Sequence, residues 1–191
     1  MSRNTTLDDE LLQRCKEGDT SAFRALVNTY KDASFTLASS VLKDSSLAED
    51  AVQTAFIKVF EKLDSFRHDS KFSTWLFRIV INTAYNMAKQ QKKHMPMEVL
   101  SDSPIETDVD AELKRLKEDD QKKYINLALN RMKSDEALIL RLFYLYEYTI
   151  VEIKEITGFT KSKIKVDLHR GRKNMQLQIH KILGNETTQL L

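Results

Sequence analysis

Five side chains in the first half of the chain follow one another at intervals of three, four, three and four: Trp75, Arg78, Asn82, Tyr85 and Lys89. That period places them on one face of a helix. An indole and a phenol can stack on bases, an amide can bond base edges, and a guanidinium and an ammonium can neutralise phosphates. The stripe therefore has the chemistry of nucleic-acid contact. Its plainer reading is that Trp75 and Tyr85 are core residues beside solvated charges, and composition favours neither. A second set lies later: Lys161, Lys163, Lys165, Arg170, Arg172 and Lys173, with His169 among them, stand off an apolar stripe of Ile164, Leu168, Met175 and Ile179. Asp167 alone opposes them. A short helix predicted over 150–156, the turn residue Gly158 and a cap at Thr160 precede this basic helix. Helix, turn and basic helix in that order form the unit that enters a DNA major groove. A solvated basic face on a helical bundle is the alternative; the glycine and the cap, falling where the motif needs them, weigh against it. Asp167 can accept from a cytosine amine or pair with Arg170 or Lys163, and the sequence leaves these open.

Bond-making chemistry lacks comparable support. There is no G-x-x-x-x-G-K phosphate loop and no nucleophile–base constellation. The single Cys15 and the four histidines have no C-x-x-C or H-x-x-x-H ligand spacing, so no metal and no cofactor are expected. Glu49, Asp50 and Glu61 are the clustered carboxylates a nucleic-acid enzyme would use, but their spacing reads as surface charge on a helix. The expectation is a protein that is not an enzyme. One cysteine fits a reducing cytoplasm. No apolar run approaches the roughly 20 residues that span a bilayer, and the polar, acidic start lacks the form of an export signal. A cytoplasmic protein with no membrane insertion of its own is expected.

The elements that position these residues are predicted to be helical. Hydrophobic residues make up 41% and charged residues 30%, enough for a core, while 4 Gly and 2 Pro leave little turn vocabulary for a sheet. The net charge of +2 conceals an uneven distribution. Residues 1–97 carry 14 Lys+Arg against 12 Asp+Glu, 98–121 carry 3 against 9, and 122–191 carry 13 against 7. Both prolines, Pro96 and Pro104, fall in or beside the acidic stretch, which reads as a linker. Two small helical domains, 1–93 and 122–184, are expected on either side of a flexible acidic linker, 94–121, with a tail over 185–191. Within the first, a helix over 7–16 ends near Gly18, Asp19 or Thr20 caps the next, and Ser46-Leu47-Ala48-Glu49 matches a capping box. The helix it opens carries Val52, Ala55, Phe56, Val59, Phe60 and Leu63 on an inward face, with Asp50, Gln53, Ile57, Lys58 and Glu61 on the outward one. A helix over 74–91 follows, and in the second domain Ser134 is the expected cap of an apolar helix.

Several segments together resemble the second conserved region of extracytoplasmic-function sigma factors: Ala48-Glu49-Asp50-Ala51-Val52-Gln53-Thr54-Ala55-Phe56, Leu63-Asp64-Ser65-Phe66-Arg67, Phe72-Ser73-Thr74-Trp75-Leu76-Phe77-Arg78-Ile79 and Asn82-Thr83-Ala84. The stretch 127–177, with Gly158 and Lys165-Val166-Asp167-Leu168-His169-Arg170-Gly171-Arg172, resembles the fourth region. The resemblance implies a factor that recruits core RNA polymerase to promoters and helps open them. It implies that Asp50, Gln53 and Ile57 meet the coiled coil of the polymerase's largest subunit. Phe66 and Asn82, with Arg67, Trp75, Arg78 and Tyr85, would hold the single-stranded minus-ten element, including an extruded base. Lys161, Lys163, Lys165, His169, Arg170, Arg172 and Lys173 would bind the duplex minus-thirty-five element. It also implies an anti-sigma partner, commonly membrane-bound. The chain departs from the family at Thr54, Ser134, Lys154, Asp167 and Gly171, where Glu, Pro, Ala, a basic residue and Ala are usual. A conventional helix-turn-helix regulator acting without polymerase is the alternative.

Overall fold

The computed structural model describes residues 2–94 and 121–184, and every regular element among them is helical. Four α-helices make the first unit: α1 (Ser2–Lys16), α2 (Thr20–Leu42), α3 (Ser45–Lys62) and α4 (Phe72–His94). Asp19 caps α2, accepting from the amides of Ser21 at 2.8 Å and Ala22 at 3.4 Å. Hydrogen bonds from Ser21 and Arg14 hold its carboxyl down to about 2. Gly18, at φ +90, makes the turn between α1 and α2 in a conformation that favours glycine. Asp44, and not the Ser46 box, caps α3: its carboxylate accepts from the Leu47 amide at 2.9 Å. A side-chain cap of this kind contributes about 1 kcal/mol by satisfying an orphan amide.

Leu26, Leu37, Val59, Leu76 and Ile81 are fully buried where α2, α3 and α4 pack on one another. Phe60 departs from the expected inward face. It is 56% exposed and meets the Phe23 ring edge-on, because positions 56, 59 and 63 already fill the buried arc of α3.

The second unit comprises α5 (Gln121–Asn130), α6 (Ser134–Leu140), α7 (Ile150–Thr157) and α8 (Lys161–Leu183). Helix α6 runs on as a π-helical turn, Arg141–Leu145, closed by the Tyr146 amide on the Arg141 carbonyl at 3.0 Å. Ser134 does not cap α6. Its hydroxyl donates to the Val41 carbonyl of α2 at 3.3 Å, and Lys133 precedes the helix without a side-chain cap. Arg141 is buried and its guanidinium donates to the side-chain carbonyls of Asn126 and Asn130 at 2.6 and 3.0 Å, which fixes α5 against α6.

The two units share one core. Buried residues from Leu11 to Leu168 form a continuous cluster, with α7 against α4 and α6 against α2. The expected acidic linker lies outside the described residues except for its ends, His94 and Gln121, which close α4 and open α5; the 185–191 tail lies outside them too. Gly171 packs closely: a β-carbon there would stand 3.1 Å from Leu140 Cγ.

Candidate nucleic-acid and polymerase interfaces

The α4 stripe forms as its spacing predicts, but its members differ in surroundings. A 3-10 turn, Leu63–Ser65, and the segment after it lead into α4 and fold Phe66 inward, 5% exposed, against Phe72 and Trp75 at ring distances of 5.8 and 5.3 Å. Beside this aromatic cluster lies a cleft of about 440 Å³ lined by Phe66, Arg67, Ser70, Trp75, Arg78 and Glu155, among others. Two guanidiniums at an aromatic wall suit an unstacked base with its phosphate. Asn82 is exposed one turn beyond Arg78 and does not line the cleft.

Tyr85 is half-buried, its hydroxyl donating to Asp135 Oδ1 at 2.7 Å and its ring 6.1 Å from Phe159. Burial, then the Asp135 carboxylate, raises its pKa, so the phenol stays protonated. Asp69, Ser70 and Glu155, which also line the cleft, are absent from the expected site. The first two lie in a polar stretch without periodicity, and Glu155 comes from the other unit, so spacing could not find them.

Asp50, Gln53 and Ile57 stand together on the outward face of α3, Ile57 60% exposed, as the periodicity predicts. Phe60 extends the same exposed surface by one turn. An isoleucine and a phenylalanine in water beside a carboxylate and an amide make a compact amphipathic patch suited to a protein partner.

In the second unit, Thr149 caps α7 with a full capping box: its hydroxyl accepts from the Glu152 amide at 3.3 Å, and Glu152 accepts from the Thr149 amide at 2.8 Å. Gly158, at φ +72, ends α7, and Thr160 caps α8 through the Lys163 amide at 3.2 Å. Ile164 and Leu168 bury one side of α8, leaving Lys161, Lys165, His169, Arg170, Arg172 and Lys173 exposed. Val166 is 44% exposed among them and offers an apolar group of the kind that meets a thymine methyl.

Lys163 is turned differently. Its ammonium donates to Asp135 at 2.7 Å and to Asp167 at 2.6 Å, and sits 4.4 Å from the Phe159 ring centre. Burial lowers its pKa, but the two carboxylates outweigh that and hold it above the usual lysine value. Asp167, 7% exposed, is thus the partner of Lys163 among the roles left open. Ile125, Leu129, Leu140, Met175 and Ile179 line an apolar groove of about 290 Å³ to which Arg172 also contributes, so this arginine stands at the edge of the basic surface, its Nε donating to the Leu168 carbonyl at 3.1 Å.

Both helical units have counterparts among known proteins. The model for sigma-70 region 2 matches residues 26–94, and that for sigma-70 region 4 matches 122–175. The ECF RNA polymerase sigma factor SigW of Bacillus subtilis (strain 168) is 28% identical over 182 residues, spanning 88% of this chain and 94% of its own. The ECF RNA polymerase sigma-E factor of Escherichia coli (strain K12) is 43% identical over 96 residues, 50% of this chain and 49% of its own length, so that match spans about half of each.

Two solved structures share the fold. CnrH in complex with the cytosolic domain of CnrY has a TM-score of 0.63 at 19% identity, covering 92% of this chain and 98% of its own. The sigma factor RpoE in complex with the anti-sigma factor NepR from Bartonella quintana has 0.60 at 23%, covering 82% and 96%. With both regions matched in order and a relative aligned across nearly its full length, the chain belongs to the extracytoplasmic-function family of RNA polymerase sigma factors.

Proposed function

We propose that this protein presents the α3 patch of Asp50, Gln53, Ile57 and Phe60 to the coiled coil of the polymerase's largest subunit. The α4 face then captures the melted minus-ten strand, and the exposed basic face of α8 binds the duplex minus-thirty-five element. The observation that carries the reading is the cleft where Arg67 and Arg78 meet the Phe66–Trp75 wall. Opening duplex DNA costs about 1.4 kcal/mol per base-pair step in stacking. A factor that burns no nucleotide must therefore bind the single-stranded product better than the duplex, and an aromatic wall beside cations does so by stacking and charge.

The work is binding, and the bond-making belongs to the polymerase; the protein is not an enzyme and acts in the cytoplasm with it. No helix among the described residues is long and apolar enough to cross a membrane. By analogy with the complexes of CnrH and of the Bartonella factor, an anti-sigma protein is the proposed restraining partner.

The test compares Arg78→Ala and Asn82→Ala with Asp50→Ala and Gln53→Ala in three assays: pull-down with core polymerase, permanganate footprinting of unpaired thymines, and transcription from a template mismatched across the minus-ten region. The α4 variants should bind polymerase, melt poorly and be partly rescued by the mismatched template. The α3 variants should fail at assembly and gain nothing from it. An Arg78 variant that melts promoters normally would remove the cleft from the mechanism.

A further inference from the structure

Five of the six residues from Ser65 to Ser70 line the cleft assigned to the minus-ten strand, and His68 alone does not. Its backbone accounts for the exception. At φ +60 His68 takes the left-handed conformation, which turns one side chain out of an otherwise continuous lining. That side chain is met by α1 instead: its Nδ1 lies 3.3 Å from Asp9 Oδ1. The imidazole also rests against Phe66, 4.6 Å from ring centre to ring centre. The neighbouring residue of α1 reaches the same aromatic by another route. Asp8 is buried and accepts from the Tyr30 hydroxyl at 2.5 Å. The Tyr30 ring meets Phe72 at 5.6 Å, and Phe72 meets Phe66 at 5.8 Å. Two adjacent carboxylates of α1 thus converge on the wall of the cleft, one through the core and one through the loop.

We propose that α1 is a working part of the single-strand site: Asp9 is a positioning residue that, through His68, holds the loop over 66–70 in the shape that presents Phe66 and Arg67 to an unstacked base. The inference rests on the cleft being that site. An ordinary side chain resists the left-handed conformation by about five- to thirtyfold, whereas histidine, asparagine and aspartate enter it more readily. The carboxylate of Asp9 adds to that preference by holding the imidazole where the left-handed turn places it. Asp9 makes a firm anchor because Asp8, one position earlier, fixes α1 through its buried bond to Tyr30. Both members of the Asp9–His68 pair are about half exposed, at 54% and 48%. A pair so exposed favours the joined state by no more than about fivefold. That is too little for folding to depend on it and enough to bias a short loop. A site competent for a fraction of the time binds with its affinity reduced by that fraction, so loss of the tether weakens strand capture and leaves the α3 patch as it was.

The experiment uses holoenzyme assembled from the full chain and core polymerase, with a fluorescent single-stranded oligonucleotide that spans the minus-ten element of a promoter it opens. Asp9→Ala should weaken oligonucleotide binding about two- to fivefold. His68→Ala should weaken it about tenfold, since it loses the left-handed preference together with the tether. The double variant Asp9→Ala/His68→Ala should bind no worse than His68→Ala alone, because the two side chains act through one contact. His68→Asn is the conservative replacement: its amide nitrogen takes the place of Nδ1, and asparagine accepts a positive φ. It should keep oligonucleotide affinity within about twofold of wild type and fall to the level of Asp9→Ala when that change is added. Affinity for core polymerase should stay at the wild-type value in every variant, which a general loss of folding would not allow. Arg78→Ala, in the cleft itself, should weaken oligonucleotide binding in the same assay. Losses that add in the double variant, or a His68→Asn variant as weak as His68→Ala, overturn the tether, and a loss in Arg78→Ala then leaves the cleft standing. Wild-type binding by Arg78→Ala as well overturns both.

Discussion

Asp167→Ala separates a structural role from base reading at the one acidic position in the basic helix. The carboxylate is buried and lies 2.6 Å from the Lys163 ammonium, whose side chain is 38% exposed. At an effective dielectric near 20 the attraction across that distance is about 6 kcal/mol before desolvation is subtracted. Lys163 keeps Asp135 at 2.7 Å when Asp167 is lost, so the change does not strand a buried cation. Partial exposure of the pair lowers the net loss further, to about 1–2 kcal/mol. Urea denaturation of the wild type, Asp167→Ala, Lys163→Met and the double variant measures the coupling, which should exceed the roughly 0.5 kcal/mol scatter of independent sites. Binding to minus-thirty-five duplexes substituted one base pair at a time should show an unchanged preference, because the carboxylate faces inward. Additive stabilities, together with a preference relaxed by about 1–3 kcal/mol at a single cytosine-containing pair, would refute the inward assignment.

Other substitutions probe the same surfaces. Arg170→Ala and Lys165→Ala should each weaken upstream-element binding, by about 1–3 kcal/mol at particular base pairs if they read bases and uniformly if they hold phosphates; competition binding across a substituted duplex set distinguishes the two. Gly171→Ala should stabilise the fold by up to about 1 kcal/mol in thermal denaturation through helix propensity. Leu140, whose side chain carbons lie 3.1 and 3.2 Å from the new β-carbon, borders the apolar groove and has room to give. Burial, and secondarily Arg141, lowers the Lys43 pKa to about 8, while its ammonium donates to the Asn130 carbonyl at 3.1 Å. Between about pH 8 and its unfolded value near 10.4 the unfolded chain holds more protons at this site. Stability should therefore rise with pH across that window, by at most about 1.4 kcal/mol per unit, and Lys43→Met should abolish the rise. Above pH 10 the raised pKa values of Tyr30 and Tyr85 act oppositely, since the unfolded tyrosines ionise first.

Helical periodicity made much of the fold legible. The exposed row Asp50, Gln53 and Ile57, the Gly158 turn and the Thr160 cap all follow from local rules that act within one or two turns. The same rules missed wherever a distant segment competed for a group. Ser134 looks like a cap, but its hydroxyl goes to Val41, more than ninety positions away in sequence. Lys163 has the spacing of a DNA contact, yet Asp135 and Asp167 hold its charge. Phe60 falls at a core interval on α3, but the arc is filled without it. The acidic stretch reads as a linker between two small helical domains, and nothing in it signals that Phe77 packs against Tyr146 and Tyr148. The cleft was half legible: Phe66, Trp75 and Arg78 lie on readable elements, whereas Glu155 reaches it only through the docking of α7 on α4.

This chain acts as a polymerase subunit and not as a free-standing DNA-binding regulator. In vitro transcription with core polymerase on a library of genomic fragments, run beside footprinting by the protein alone, separates the two. Weak footprints from the free protein, with specific, salt-sensitive initiation once polymerase is added, are the predicted result. Tight, sequence-specific footprints from the free protein that polymerase leaves unchanged would contradict it.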